Sequence, residues 1–270
     1  MAKKIEEIVA YVKNHRCFTH PIFNHWVQVR PGPESVGALF HQIQCFCAST
    51  RPGWNFAEAL KDHGMDHQGD LVQAIVDSEE DHGPELATMA GHILNRTAKS
   101  PVCADLYDQK SVEAKLRQFS DKLLGSLPGY DKKTGLTVQA RKAINVFERR
   151  KLTDRDSTIR NLGTALALEM ISNQQLIPGE KNALVDSGIY NTTLEEPEMH
   201  YLLEHWGEIG AEQQHEKNAI EAVAAVLNDK TEALIFAGID DFLDSLVNLW
   251  DVLDSALLGS GSREASVTAA

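Results

Sequence analysis

The sequence predicts an all-α protein. Apolar residues recur at the three- and four-residue spacing of a helix along most of the chain, and alternating β-branched runs bounded by hairpin turns are absent. Hydrophobic residues make up 43% of the 270 residues, which is enough to bury a large core. Because we find neither a repeat nor a linker, we expect one helical domain over residues 1–258 and a flexible Gly- and Ser-rich tail over 259–270.

The helices are predicted from their apolar stripes and from the turn residues between them. Ile5, Ile8, Val9 and Val12 form the stripe of the first helix, and a second begins after Pro33. This second helix is predicted at 35–48. The remaining helices are predicted at 56–63, 71–81, 85–95, 110–124, 136–150, 157–171, 196–227 and 231–258. Loops at 128–134 and 177–187, each containing Pro-Gly, are expected to cover a pocket or to form a dimer surface.

The composition excludes some classes of function. A net charge of −13 argues against a nucleic-acid partner and is a poor fit to an anionic membrane surface. The chain has no apolar run near 18 residues and no signal peptide, so we expect a cytoplasmic protein. Its cysteines lack the spacing of a zinc site and are expected to be reduced; they are Cys17, Cys45, Cys47 and Cys103.

One predicted helix carries an acidic face. At 100° per residue, Glu204, Glu208, Glu212 and His215 fall within an arc of about 80°, and His205 lies beside them. Carboxylates four residues apart repel by roughly 0.2–0.5 kcal/mol, and no Lys or Arg is interleaved. The face therefore indicates either a bound cation or a solvated acidic surface. The Glu212-x-x-His215 spacing is the one that di-iron helical bundles use.

Two further segments offer ligands of the same kind. Glu79-x-x-His82 precedes the helix break at Gly83-Pro84, with His92 beyond it, and Glu169 is the single acid in an apolar stretch. This mixture of oxygen and nitrogen donors suits iron or manganese better than zinc or magnesium. Either His82 or His92 is expected to be a metal ligand, and so is either His205 or Glu208. The candidate metal ligands are therefore Glu79, His82, His92, Glu169, His205, Glu208, Glu212 and His215.

These motifs resemble those of the haem-oxygenase-like di-metal oxidases and oxygenases, a group related to the thiaminase fold. The last ligand helix of that family reads His-x-x-x-Asp-x-x-His, and the same spacing here is Glu208-x-x-x-Glu212-x-x-His215. The opening His20-Pro21-Ile22-Phe23 is also similar to that family. The resemblance implies an up-and-down bundle of about seven core helices and two ferrous ions per chain, with manganese as the alternative metal.

The resemblance also implies the function, which we expect to be the O2-dependent oxidation of a small organic metabolite, such as a fatty acid or an amino acid derivative. An electron donor and a homodimer are compatible with it, whereas nucleic acid and membrane are not expected as partners. Two alternatives use the same fold. One is a metal-free small-molecule binding protein, and the other is a thiaminase-type hydrolase with a Cys and Glu pair, for which Cys45, Cys47 and Cys103 are candidates.

Overall fold

The computed structural model describes residues 2–50, 54–78, 82–207 and 210–259, with the backbone alone for residues 2, 3, 54, 82 and 83. Within these ranges the protein is an all-α bundle, as the sequence predicts, and contains no β-strand. An isolated antiparallel bridge joins Asp131 to Leu136 in one loop. The predicted tail at 259–270 lies, except for Gly259, outside the described residues.

The α-helices are numbered in chain order. The first seven are α1 (Ala2–Lys13), α2 (Ile22–Val29), α3 (Pro33–Thr50), α4 (Trp54–Asp62), α5 (Asp66–Ser78), α6 (His82–Thr97) and α7 (Gln109–Leu124). The rest are α8 (Val138–Glu148), α9 (Arg155–Ile171), α10 (Ile177–Lys181), α11 (His200–His205), α12 (Ala211–Val226) and α13 (Glu232–Leu253). No described helix is both long enough and apolar enough to cross a membrane.

Helix α9 lies at the centre of the bundle. It begins at the N-cap Asp154, whose carboxylate accepts from the backbone N–H of Ser157, and its last eleven residues, 161–171, are all buried. It packs against α13, α12 and α4, while α3 packs against α6, α7 and α8. A helix that is apolar on every side must be enclosed on every side. A polar group on α9, such as Glu169, is therefore carried into the core.

The crossing of α9 and α13 is unusually close. A Cβ atom at Gly163 would lie 2.1 Å from the Ile235 carbonyl oxygen, and one at Gly238 would lie 2.0 Å from that of Arg160. The Thr164 hydroxyl donates to the Gly238 carbonyl across this contact at 3.0 Å. Glycine at both positions lets the two backbones touch, which fixes the position of α9 within the bundle.

Two predictions about helix ends are wrong. The helix predicted at 196–227 is divided into α11 and α12, and the backbone at Gly207 has a φ of +89°, which a helix does not allow. Conversely, the loop predicted at 177–187 is helical. Wide π-helical turns at Ser172–Leu176 and Asn182–Asp186 flank α10, so that helical structure continues through Pro178. A widened turn accommodates the ring and the missing N–H of a proline that a regular α-helix would reject.

Candidate metal centre

Three of the predicted ligands meet in the core. Glu169 is carried by α9, and Glu212 and His215 are carried by the first turns of α12. All three side chains are buried, and each offers a ligand atom within 4.8 Å of those of the other two. The Nδ1 atom of His215 lies 3.7 Å from Glu169 Oε2. Helices that are distant in sequence therefore bring two carboxylates and an imidazole to one point.

His205, the last residue of α11, joins this group. Its Nε2 atom lies 3.7 Å from Glu212 Oε1. In an unbroken helix, residues 205 and 212 would be separated by about 10 Å along the axis, since each residue rises 1.5 Å. The interruption between α11 and α12 therefore brings the two side chains together. The sequence placed both residues near the site, but on a single continuous helix.

Hydrogen bonds fix the orientation of both imidazoles. His205 Nδ1 lies 2.6 Å from the Tyr201 carbonyl oxygen, which can only accept, so Nδ1 carries the proton and Nε2 faces Glu212. His215 Nε2 lies 2.6 Å from Ser78 Oγ at the end of α5. This contact turns the Nδ1 atom of His215 toward Glu169. Metal-binding histidines are held by such outer contacts.

A buried arginine lies close to one of the two carboxylates of the cluster. Two buried carboxylates this close repel strongly in a low dielectric and need a compensating positive charge. The buried guanidinium of Arg150 supplies positive charge. Burial lowers the pKa of its guanidinium to about 10, and the negative charge of Glu169 opposes that lowering. Two carboxylates and two oriented imidazoles form a donor set that fits ferrous iron or manganese.

The cluster opens onto a cavity of about 530 Å³. Glu169, His205 and Glu212 form one part of its wall. Most of the remaining wall is apolar and aromatic; its side chains include Phe23, Trp26, Phe46, Leu168, Leu249 and Trp250. The volume lies within the range of pockets that bind small organic molecules.

Two polar residues of the cavity wall, Glu180 and His41, are not predicted from the sequence. Glu180 on α10 is 7% exposed, and burial raises the pKa of its carboxyl to about 7. Its position after Pro178-Gly179 predicted a turn instead. His41, which lies off the apolar stripe predicted for α3, is also buried, and its Nδ1 lies 3.0 Å from Ser120 Oγ. No sequence signal distinguished these residues, since each depends on packing between distant helices.

Other predicted ligands lie elsewhere. His92 Nε2 is 3.1 Å from Glu196 Oε2 and 3.0 Å from Thr192 Oγ1, in a different cluster from Glu169. The structure thus pairs His92 with acceptors from the segment before α11, which no sequence motif links to it. Glu204 is exposed and pairs with His200 at 3.1 Å, so it does not share a face with Glu212. Glu79, Glu208 and the side chain of His82 lie outside the described residues.

Comparisons of the chain with protein-family models, with curated proteins and with solved structures give no match. The geometry and chemistry of the cluster and of its cavity are therefore the basis for assigning a function.

Proposed function

We propose that the protein is a non-haem di-metal oxidase or oxygenase, with two ferrous ions bound in a haem-oxygenase-like helical bundle. The buried cluster of Glu169, Glu212 and His215 is the observation that carries this proposal. Buried carboxylates are retained against their desolvation cost when a cation binds between them. The all-α bundle and the adjoining cavity support the proposal, because a small molecule bound in the cavity would lie beside the cluster.

The ligands would come from four segments of the chain. Glu169, His205, Glu212 and His215 are sufficient for one ion, and a second ion requires further donors. Glu79, His82 and Glu208 are the candidates, since Glu79 follows Ser78 and Glu208 follows Gly207 in the sequence. When bound, ferrous iron would supply the electrons that reduce dioxygen, and manganese is the alternative metal.

The residues of the chain itself would orient the ligands and enclose the substrate. The Tyr201 carbonyl and the Ser78 hydroxyl hold the two imidazoles, and Arg150 places a positive charge behind Glu169. The apolar walls exclude water and favour a substrate with a hydrocarbon portion. We propose a small organic metabolite as the substrate and a cytoplasmic location, with an external electron donor and a homodimeric assembly.

Metal analysis of purified protein tests the proposal. Wild-type protein loaded anaerobically with ferrous iron and then desalted should retain close to two ions per chain. We expect Glu212→Gln and His215→Ala to retain less than about half of that amount, because each removes a buried donor. Glu58→Gln is the matched control, since this exposed glutamate belongs to no acidic cluster among the described residues. Oxygen uptake by the loaded protein provides the second readout.

Two results would overturn the proposal. One is wild-type protein that retains no iron or manganese after loading. The other is stoichiometric metal that persists in both Glu212→Gln and His215→Ala, because the metal would then be bound elsewhere. Folding of each variant is checked by circular dichroism, so that loss of metal is separated from loss of structure.

The hydrolase alternative has one specific observation to consider. Cys45 Sγ lies 3.8 Å from His41 Nε2, and both residues line the cavity. Burial raises the pKa of the Cys45 thiol to about 11 and lowers that of His41 to about 4. Both groups are therefore neutral at pH 7, whereas nucleophilic catalysis needs the thiolate. The oxidase proposal accounts better for the buried acidic cluster.

A further inference from the structure

Glu180 lies in the wall of the cavity but is not part of the metal cluster. Its helix α10 is held against α2, because the Phe23 ring covers Gly179 so closely that a Cβ atom there would lie 2.2 Å away. The Glu180 side chain is 7% exposed and lines the cavity together with Phe23 and Ile177. The carboxyl group is thus held in place by packing, in an apolar part of the wall.

The carboxyl group of Glu180 has no protein partner within the part of the chain that the structure describes. Its Oε2 atom is buried without a hydrogen bond. The adjacent Lys181 directs its ammonium group to Asp186 at 2.6 Å instead. Burial is the cause of the raised carboxyl pKa, and among the described residues no cation offsets it. Such a group costs several kcal/mol to bury, and a ligand in the cavity would recover that cost.

We propose that Glu180 binds the ammonium group of an amphipathic primary amine whose hydrocarbon portion fills the cavity. An ammonium group neutralises the charge of a buried carboxylate and also donates hydrogen bonds to it. A hydroxyl group can donate a hydrogen bond but leaves the charge uncompensated. An anionic ligand would be repelled by Glu180 and by the nearby acids of the cluster.

The rest of the cavity wall supports a cationic ligand. The rings of Phe23, Trp26 and Trp250 line the cavity, and aromatic faces attract alkylammonium groups while also packing against hydrocarbon. The basic side chains in the wall, Lys110 and Arg117, both belong to α7. The guanidinium of Arg117 is already occupied by the backbone carbonyls of residues 132 and 133. The inference that this amine is the substrate rests on the proposed function. The inference that Glu180 binds an amine does not.

Binding of three eight-carbon probes tests the inference. The affinities of n-octylamine, n-octanol and octanoate are measured by calorimetry at pH 8, with chelated metal-free protein and with ferrous-loaded protein. We expect wild-type protein to bind octylamine at least about 10-fold more tightly than octanol, and octanoate most weakly. We expect Glu180→Gln to weaken octylamine binding at least about 10-fold and to change octanol binding by less than about 3-fold.

The matched control is Glu113→Gln. Glu113 also lines the cavity, but it already accepts hydrogen bonds from Gln44 and Gln109 at 2.9 and 2.8 Å. This substitution should leave the octylamine affinity within about 3-fold of wild type. The comparison of octylamine with octanol in wild-type protein needs no variant and so stands even if Glu180→Gln does not fold.

Several results would overturn the inference. These are equal affinities of wild-type protein for octylamine and octanol, tightest binding of octanoate, no binding of any probe, or unchanged octylamine binding by folded Glu180→Gln. A loss of bound iron in Glu180→Gln would also overturn it, because Glu180 would then be a metal ligand. If the protein binds octylamine as expected but retains no metal, the proposed function fails and this inference stands.

Discussion

Burial controls the ionisation of individual side chains in the cavity. The Cys45 thiol and the Glu180 carboxyl both lie among apolar groups, and the charged form of each loses its hydration there. The pKa of each group is raised, so that Cys45 remains a thiol at pH 7 and Glu180 is close to half-ionised. Each shift leads to a measurable prediction.

Cys45 is expected to react slowly with alkylating reagents. Because burial raises its pKa from 9.0 to about 11, the thiolate fraction at pH 7.5 is about 100-fold smaller than for an exposed cysteine. Mass spectrometry of iodoacetamide-treated protein should show Cys45 labelled at least about 100-fold more slowly than a cysteine in a short peptide. Rapid labelling at this position would instead favour the thiaminase-type hydrolase. The Cys45→Ser variant is the control, since it should not be labelled there.

Glu180 should make the free energy of unfolding depend on pH. In the unfolded chain the carboxyl ionises near its ordinary pKa of 4.5, and in the folded protein near 7. Its contribution to stability is therefore fully present below pH 4.5 and is lost as the pH rises to 7. The loss is on the order of 3 kcal/mol. Relative to wild type, Glu180→Gln should gain about that much stability between pH 4.5 and pH 8.

Urea unfolding of both proteins at the two pH values measures this gain. Glu58→Gln serves as the control, because it removes a carboxyl group that is exposed and not buried. A Glu180→Gln difference that is independent of pH would show that Glu180 ionises normally in the folded protein.

At the scale of helices, the contact between α9 and α13 is the most sensitive to substitution. We expect Gly238→Ala to lower the free energy of unfolding by about 3 kcal/mol, even though alanine favours helix by about 1 kcal/mol. The added Cβ atom would lie 2.0 Å from the Arg160 carbonyl oxygen, and backbone cannot rotate away as a side chain can. Urea denaturation gives the value.

Gly32→Ala is the control for this measurement, because no atom lies within 4 Å of a Cβ atom built there. An equal effect at Gly32 and Gly238 would attribute the loss to glycine itself and not to the close contact of α9 with α13.

Helix periodicity was sufficient to place most helices, and insufficient where tertiary contacts determine their ends. The stripe of Ile8 and Val12 is buried as predicted, because amphipathic spacing records which face meets the core. The sequence predicted a turn at Pro178-Gly179, where packing of Gly179 against Phe23 supports a helix instead. Glu169 was identifiable because an acid within an apolar stretch is conspicuous. Glu180 was not, because its surroundings come from other parts of the chain.

At the scale of the whole molecule, metal binding should join four helices. Glu169 belongs to α9, His205 to α11, and Glu212 and His215 to α12, while Ser78 links α5 to His215. Ferrous iron at 100 times its dissociation constant should stabilise the folded protein by about 2.7 kcal/mol. We therefore expect an increased melting temperature for wild-type protein and no increase for Glu212→Gln.

Hydrogen exchange would locate this stabilisation. Iron should slow exchange of backbone amides at 75–78 and at 211–216, the parts of α5 and α12 next to the cluster. Amides at 112–120 in α7, which contributes no ligand, provide the internal control. Unchanged exchange at the first two segments in iron-loaded protein would contradict coupling between the metal and these helices.

The interruption between α11 and α12 has a consequence for how this chain can change over evolutionary time. In one continuous helix, inserting or deleting one residue would rotate everything beyond it by about 100°, so that the apolar face of α12 and its ligands would turn together. Because α11 and α12 are separate helices, a length change in the connector between them can be taken up there, while α12 keeps its apolar contacts and its place in the core. The paired donors can therefore survive insertions and deletions that an unbroken helix would not tolerate.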